Sequence, residues 1–320
     1  MGGSTKQALL QALSAAKGAY ISGQQLAKAL GVSRAAVHKA AQALSAQGYT
    51  LDSAPRRGYR LAGGDPFCAE AVGLYPAPIH IYDTLQSSNL TAKQLALGGA
   101  PHGTLVLTAH QKAGRGRLGR RFESPAGKGV YLSLILRPAL SAADAQSVTI
   151  SAAVAVARAV KALCGLELGI KWVNDLYYQG RKVCGILTEA GTDMECGQLE
   201  WLVVGIGLNL TTSAADWPEE LARTAGSLYP GGPAPVSRAV LAGAIARELL
   251  SLCPAFDCLD EYRARCFVPG HWVTVCTGAD TYAAKALSID DAGRLVVERE
   301  GGRQVALQHG EVSIRPTSTT

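Results

Sequence analysis

The 320-residue chain is 48% apolar and only 18% charged, which provides for a sizeable core and excludes wholesale disorder. No stretch approaches the ~18 uninterrupted apolar residues of a membrane span, and no apolar run followed by a small-residue cleavage site opens the chain. A cytoplasmic protein with no membrane attachment is expected. The net charge of +6 is uneven: residues 1–62 carry eight Lys/Arg against Asp52 alone, a local +7, and the remainder sums to −1. A compact basic module on a near-neutral body suits a nucleic-acid contact, although a solvated basic face has the same charge. The eight cysteines are scattered without a CxxC pair, so they read as reduced structural thiols rather than zinc ligands.

Residues 7–16 read as a first helix ending near Gly18. Ser22-Gly23-Gln24-Gln25 fits a capping box opening a short second helix stopped by Gly31. Ser33 caps a third helix, 34–47, with Val37, Ala40, Ala41 and Leu44 on one face and Gly48 at its end. Helix, short turn and helix form the helix-turn-helix pattern. Two short strands, 49–51 and 58–61, around Pro55-Arg56-Arg57 complete a winged helix with a basic wing tip. In that layout the third helix enters the major groove by its N-terminal end. Ser33, Arg34, Ala35, His38 and Lys39 then face DNA, and Arg56 and Arg57 reach the backbone or minor groove. A winged helix used only for protein docking is the alternative.

Gly63-Gly64-Asp65-Pro66 reads as a linker. Strands are expected at 79–82, 104–110, 130–137, 168–173, 175–178, 182–188 and 199–205. Ser87 or Ser88 caps a helix through about residue 97. Residues 141–163 form a long Ala/Val-rich helix opening on Ser141-Ala142-Ala143-Asp144, which resembles a capping box. Amphipathic helices are expected at 237–252 and 259–266. From about Pro269 short alternating strands at 272–276, 282–289, 294–299 and 305–314 read as a small all-β barrel.

Chemistry concentrates in four clusters of the middle region. Gly114-Arg115-Gly116-Arg117-Leu118-Gly119-Arg120-Arg121 lies between two apolar strands. Glycine lets backbone N–H groups approach an anion, and arginine forks grip carboxylates and phosphates. A flexible RNA-binding loop is the alternative. Gln86-Ser87-Ser88-Asn89 offers donors and acceptors suited to a buried ureido or amide group, or only a helix cap. Lys171-Trp172-Val173-Asn174-Asp175 precedes Lys182, which stands in an apolar strand pair. A lysine there can neutralise charge on an attacked carboxylate or phosphate, or be an ordinary hairpin lysine. Gly205-Ile206-Gly207-Leu208-Asn209 permits close backbone approach of a ligand or tight packing.

Together these motifs resemble the biotin protein ligase family over nearly the whole chain, in its bifunctional form that is also the biotin operon repressor. The resemblance implies an α+β chain of three domains: a winged helix-turn-helix over 1–64, a mixed-sheet α/β ligase core over 65–268 and an SH3-like β-barrel over 269–320. It implies contacts to biotin from Ser87, Ser88, Asn89, Gln111, Gly114, Arg115, Arg117, Lys182 and Gly185. ATP and the adenylate would meet Arg117, Arg120, Phe122, Asn174, Asp175, Asn209, Glu311 and Arg315, with Asp175 near Mg²⁺. Arg115, Arg117 and Lys182 would carry the chemistry. The implied partners are a biotin carboxyl carrier protein, operator DNA and a second copy of the chain when adenylate is bound. Three positions depart from the family's habit: Val173 stands where proline is usual, Phe122 where tryptophan is usual, and Gln86 where an acid is common. Two rivals share the motifs in part. A lipoate or octanoate ligase would carry a different Arg-Gly-Gly-rich signature, which is absent. A DNA-binding regulator with an inactive sensing domain would not need Lys182, Arg115 and Asp175 intact.

Overall fold

The computed structural model describes residues 5–16, 18–141, 145–192, 199–253, 255–278, 280–308 and 310–314. The chain divides into two compact units, Met1–Leu74 with Val236–Val240, and Tyr75–Pro235 with Leu241–Thr320.

The first unit holds α1 (Thr5–Ala15), α2 (Gly23–Leu30), α3 (Arg34–Ala46), β1 (Tyr49–Ala54), β2 (Gly58–Gly64) and α4 (Ala69–Val72). The expected capping box closes: Gln25 N–H donates to Ser22 Oγ, and the Gln25 side chain accepts from the Ser22 N–H. Gly31 ends α2 in the left-handed region at φ 64°, which glycine adopts without steric cost. Leu9, Leu13, Leu26, Val37 and Leu44 form the core of the three helices. Strands β1 and β2 make an antiparallel ribbon, and Ile21 bridges Tyr59, which ties the chain before α2 to the wing. A side chain at Gly58 would run into the Ile21 carbonyl, and its φ is +95°.

The second unit begins with β3 (Ile79–Leu85), α5 (Ser88–Leu97), β4 (Leu105–Gln111), β5 (Gly129–Leu136), α6 (Ala145–Cys164), β6 (Gly169–Lys171), β7 (Asp175–Tyr178), β8 (Arg181–Thr192) and β9 (Leu199–Asn209). Helices α7 (Glu219–Ala222), α8 (Arg238–Leu252) and α9 (Leu259–Arg265) follow. The seven strands form one sheet in the order β3-β4-β5-β9-β8-β7-β6. Only β3 and β4 run parallel, with α5 as their crossover. Glu189 of β8 reaches α5 through Lys93, whereas its neighbour Thr188 bonds Thr149 of α6 at 2.8 Å. Successive side chains on a strand point to opposite faces, so α5 and α6 cover the two sides of the sheet. Helix α6 is long and apolar enough to cross a membrane by length and composition; here Val148 to Val160 lie mostly buried inside the protein. Asp144 of its expected capping box lies outside the described residues.

The C-terminal strands are β10 (Trp272–Thr277), β11 (Asp280–Ile289), β12 (Leu295–Arg299), β13 (Gln304–Leu307) and β14 (Glu311–Ile314). The barrel expected here is not formed. The strands make an open antiparallel sheet, β13-β12-β11-β10-β14, and among the described residues β13 and β14 share no ladder. Closure requires hydrogen bonding between the first and last strands of the order, and each of these edges is only four residues long. Alternating apolar residues give one buried face to an open sheet and a barrel alike, so the pattern cannot distinguish them. The sheet leans instead on its neighbours: the Gly293 carbonyl accepts from Trp172 Nε1 at 3.0 Å and Gln146 Nε2 at 2.6 Å.

Candidate active site

One cavity of about 360 Å³ opens on the α5 side of the large sheet. Glycines make room for it. A Cβ on Gly207 would lie 2.5 Å from the Phe122 ring, so the aromatic residue after the Gly/Arg loop sits directly over the strand. A Cβ on Gly185 would meet Phe122 and the Lys182 stem at 3.4 Å each, an ordinary contact distance.

One wall is a buried polar network. Ser87, Ser88, Asn89 and Gln111 are each less than a tenth exposed. Ser88 donates to Gln111 Oε1 from its N–H at 2.8 Å and its hydroxyl at 3.1 Å. Gln111 Nε2 donates to Ser124 Oγ at 2.8 Å. Ser133 Oγ lies 2.8 Å from Ser88 Oγ and 2.6 Å from Asn89 Oδ1. Ser87 occupies the N-cap position of α5, but its hydroxyl caps nothing, which leaves it to the cavity.

The Gly/Arg loop folds over this wall as a tight hairpin. Gly116 N–H donates to Arg120 O at 2.7 Å, and Phe122 N–H to Gly114 O at 2.9 Å. Leu118 turns it at φ 55°. The arginines are held apart. Arg115 lies 3.3 Å from Glu189. Arg117 donates to Asn174 Oδ1 at 2.9 Å and to the Gly310 carbonyl at 3.0 Å. Arg120 forms a two-pronged pair with Glu311 at 2.5 and 2.6 Å. The loop is thereby tethered to the start of β14. Gly114 does not line the cavity: a Cβ there would meet the Phe122 carbonyl and Ser124 Oγ, so the glycine permits a close backbone crossing.

The facing wall comes from β7 and β8. In their ladder Asp175 pairs with Gly185 and Tyr177 with Lys182, with a one-residue bulge between. Without that bulge Lys182 and Gly185, three apart, would point to opposite faces. With it both face the cavity. The Lys182 ammonium lies 2.7 Å from Asp175 Oδ1, in an ion contact whose angles leave that oxygen without a true hydrogen bond. The Lys182 backbone is pinned on its other edge: its N–H donates to Thr224 O at 3.0 Å, and Gly226 N–H donates to its carbonyl at 2.8 Å. Asn174 is clamped to β8, its Nδ2 donating to Ile186 O at 2.8 Å. Strand β6 stops at Lys171, short of the expected 168–173, because Asn174 is drawn onto Ile186. The Trp172–Val173 peptide is cis, and Tyr262 Oη donates to Val173 O at 3.0 Å. Asn209 donates Nδ2 to Gly226 O at 2.9 Å, while its buried Oδ1 has no partner.

The expected residues Ser87, Ser88, Asn89, Gln111, Arg115 and Arg117 all line this cavity, as do Lys182 and Gly185. So do Arg120, Phe122, Asn174, Asp175, Asn209 and Glu311. Arg315 lies outside the described residues. Sequence reasoning gave no role to several others. Lys171 and Tyr177 line the cavity; burial lowers the Lys171 ammonium from its usual range and pushes the Tyr177 hydroxyl up to about 12. Thr224 and Trp217 line the cavity too, from a segment with no motif to mark it. Ser133 and Glu189 stand just behind the wall, and a lone serine in an otherwise apolar strand was the available signal for the first.

In the first unit a groove runs between α3 and the wing, lined by Arg34, Ala35, His38, Arg56 and Tyr59 among others. Ser33, Arg34, Ala35, His38, Lys39, Arg56 and Arg57 are all exposed. The Ser33 hydroxyl accepts from Ala36 N–H, so it serves as a helix cap. His38 Nδ1 lies 3.0 Å from Tyr59 Oη. Arg57 stacks over Tyr20 at 4.1 Å, an aromatic support for the wing that the sequence reading did not pick out.

Three family models match the chain: an HTH domain over residues 5–60, the Biotin/lipoate A/B protein ligase family over 82–209, and a Biotin protein ligase C terminal domain over 270–315. The chain is 34% identical over 313 residues to the "Bifunctional ligase/repressor BirA" of Bacillus subtilis, covering 92% of this chain and 94% of that protein. It is 32% identical to the "Biotin--[acetyl-CoA-carboxylase] ligase" of Mycobacterium tuberculosis, covering 71% of this chain and 85% of that one. A biotin protein ligase from Aquifex aeolicus, solved in complex with biotin and ATP, shares the fold at a TM-score of 0.60 and 24% identity, covering 74% of this chain and 98% of that one. On the length and identity of these matches, the chain belongs to the BirA-type family of bifunctional biotin protein ligases and repressors.

Proposed function

We infer that this chain is an ATP-dependent biotin protein ligase that also acts as a biotin-responsive repressor. The observation that carries the ligase reading is the convergence of Arg115, Arg117 and Lys182 on one cavity with a buried amide-and-hydroxyl wall. Such a cavity suits an acid with a polar head and a carboxylate that must meet a phosphate. In the first step a biotin carboxylate oxygen attacks the α-phosphorus of ATP and pyrophosphate leaves, giving biotinyl-5′-AMP. In the second a lysine amine of a biotin carboxyl carrier protein attacks the acyl carbon, AMP leaves and the amine loses a proton. Lys182 is placed to neutralise the carboxylate and bridging phosphate, with Arg115 and Arg117 holding the charges in position. No side-chain nucleophile is needed.

The nucleotide would meet Arg117, Arg120, Phe122, Asn174, Asp175, Asn209, Glu311 and Arg315. The unpartnered Asn209 Oδ1 supports this, since a buried acceptor without a donor calls for one from a ligand. Among the described residues no three His, Cys, Asp or Glu side chains cluster. A Mg²⁺ would therefore be held by Asp175 with phosphate oxygens and water. We assign biotin to Ser87, Ser88, Asn89, Gln111, Arg115, Lys182 and Gly185, with Gly114 shaping the loop.

The exposed basic groove of the first unit supports the second role, with operator DNA as partner. Adenylate binding would favour a homodimer that presents two winged helices to a two-fold site, which requires the ligand to bind the dimer more tightly. We read residues 1–64 as the DNA-binding domain, 65–268 as the ligase core and 269–320 as the C-terminal domain, in a cytoplasmic protein. The test is pyrophosphate release from MgATP with biotin, lipoate or octanoate. Release with biotin alone, much weakened in Lys182→Ala and Arg117→Ala, is expected. No release with any acid, together with tight biotin binding, would leave only a sensing regulator.

A further inference from the structure

Glu189 stands behind the polar wall, its side chain 16% exposed, and does not itself line the cavity. Its carboxylate gathers three donors from two elements. Asn89 Nδ2 of α5 donates to Oε2 at 2.9 Å, Lys93 Nζ one turn along donates to Oε1 at 3.1 Å, and Arg115 Nη1 of the Gly/Arg loop lies 3.3 Å from Oε1. Burial alone would raise the Glu189 carboxyl, but the Asn89 donor and the Lys93 and Arg115 charges outweigh it and hold it below the usual range. It is therefore an anion at neutral pH.

That anion fixes the hydrogen-bond sense of the wall. The Asn89 Nδ2 protons are spent on Glu189 and on the Leu187 carbonyl at 3.2 Å. Asn89 Oδ1 is thus turned to Ser133, which donates to it at 2.6 Å. The Ser88 hydroxyl proton goes to Gln111 Oε1, and Ser133 Oγ, sharing its one proton with Asn89, also faces Ser88 Oγ at 2.8 Å, so one lone pair of Ser88 Oγ is left to accept from the cavity. Arg115, on the same carboxylate, supplies donors. The wall therefore offers an acceptor and a charged donor side by side, the complement of a cyclic urea, whose N–H donates and whose carbonyl accepts.

We propose that Glu189 is a positioning residue for acid-substrate selection: it orients Asn89 and holds Arg115 over the acid-binding part of the cavity. This rests on the ligase reading above. Glu189 acts through Arg115 and Asn89 and touches no substrate, so its loss acts on capture of the acid and not on the nucleotide.

The test is steady-state pyrophosphate release with biotin varied at saturating MgATP, and with MgATP varied at saturating biotin. The proteins are wild type, Glu189→Gln, Glu189→Asp, Arg115→Ala and the Glu189→Gln/Arg115→Ala double variant. Wild-type turnover with biotin tests the ligase reading alone, before Glu189 is at issue. Glu189→Gln keeps the shape and removes the charge; its KM for biotin is expected to rise about tenfold or more, the effect of losing one charge-assisted contact. Its KM for ATP is expected to change by no more than about twofold, and the double variant's KM for biotin to rise by less than the product of the two singles. Glu189→Asp keeps the charge but withdraws it by one methylene, and is expected to show the same split at smaller size. It serves as the readout if the glutamine variant does not fold. An unchanged KM for biotin, an equal rise in both KM values, or effects that multiply in the double variant would each overturn the proposal.

Discussion

At the scale of single residues, the site depends on side chains whose directions are set by their neighbours. Lys182 is the sharpest case. Its ammonium meets Asp175 at 2.7 Å and its backbone is pinned on both edges, so it reaches the cavity with little freedom left to lose. Lys182→Ala is expected to slow pyrophosphate release by about 10²–10³-fold, the usual loss when one preorganised charge-stabilising donor is removed. Rapid-quench measurement of adenylate formation checks this. Gly207 makes a different prediction. A Cβ there would stand 2.5 Å from the Phe122 ring, so the ring must shift to admit it. Gly207→Ala is therefore expected to raise the KM for ATP by about tenfold, within the ~1–3 kcal/mol typical of overpacking. In a Phe122→Ala background the same substitution is expected to have no further effect, which the four-protein kinetic cycle reads directly.

At the scale of elements, the bulge between β7 and β8 turns a strand lysine into a site lysine. The apolar pattern of 182–188 announced a strand, and a strand without the bulge would have set Lys182 and Gly185 back to back. In the first unit the reciprocal Ser22–Gln25 cap anchors α2. Ser22→Ala is expected to cost about 1 kcal/mol, visible as faster amide hydrogen exchange along α2. The wing tip makes the DNA prediction. Arg57 is supported by Tyr20, and Arg56 sits at the tip with φ 64°. Arg56→Ala and Arg57→Ala are each expected to weaken binding across DNA sequences alike and to reduce the slope of log K against log salt by about one. Fluorescence anisotropy over a salt series measures both. Effects on one sequence alone would place these arginines on bases.

At the scale of the whole molecule, paired carboxylates set the acid limit of stability. Burial alone would raise Glu261, but Arg158 and Arg265 outweigh it and hold it below the usual range. Asp290 is likewise lowered, burial being outweighed by the Arg294 backbone and side chain, and Glu189 is lowered in the same sense. A carboxylate with a depressed folded-state pKa contributes stability that is fully present above the unfolded value of about 4 and is lost as pH falls through the folded value. The melting temperature is therefore expected to be level near neutral pH and to fall steeply below about pH 4. Arg158→Gln, which removes one of the two arginine partners of Glu261, is expected to lower the neutral plateau and flatten that fall. Thermal melts across pH compare the two slopes.

The sequence by itself determined most of the elements and the chemistry on offer, although the strand expected at 305–314 is two, β13 and β14. Caps, glycine stops and apolar periodicity are local, so the Ser22 box, the α3 stripe and the β4 and β5 strands flanking the Gly/Arg loop could be read from spacing alone. The clustered motifs also named most of the residues that now line one cavity, because each motif places its polar groups at a strand end or strand-to-helix junction. Tertiary structure alone decided what depends on register and on distant contacts. The bulge that aims Lys182 is a matter of register within one hairpin, whereas the Thr224–Gly226 segment that pins it and the union of Asn89, Lys93 and Arg115 on Glu189 join residues about 40 to 100 positions apart. The open C-terminal sheet is of the same kind. Alternation along each strand records that one face is buried, whereas closure depends on whether the outermost strands find each other, and no local pattern encodes that.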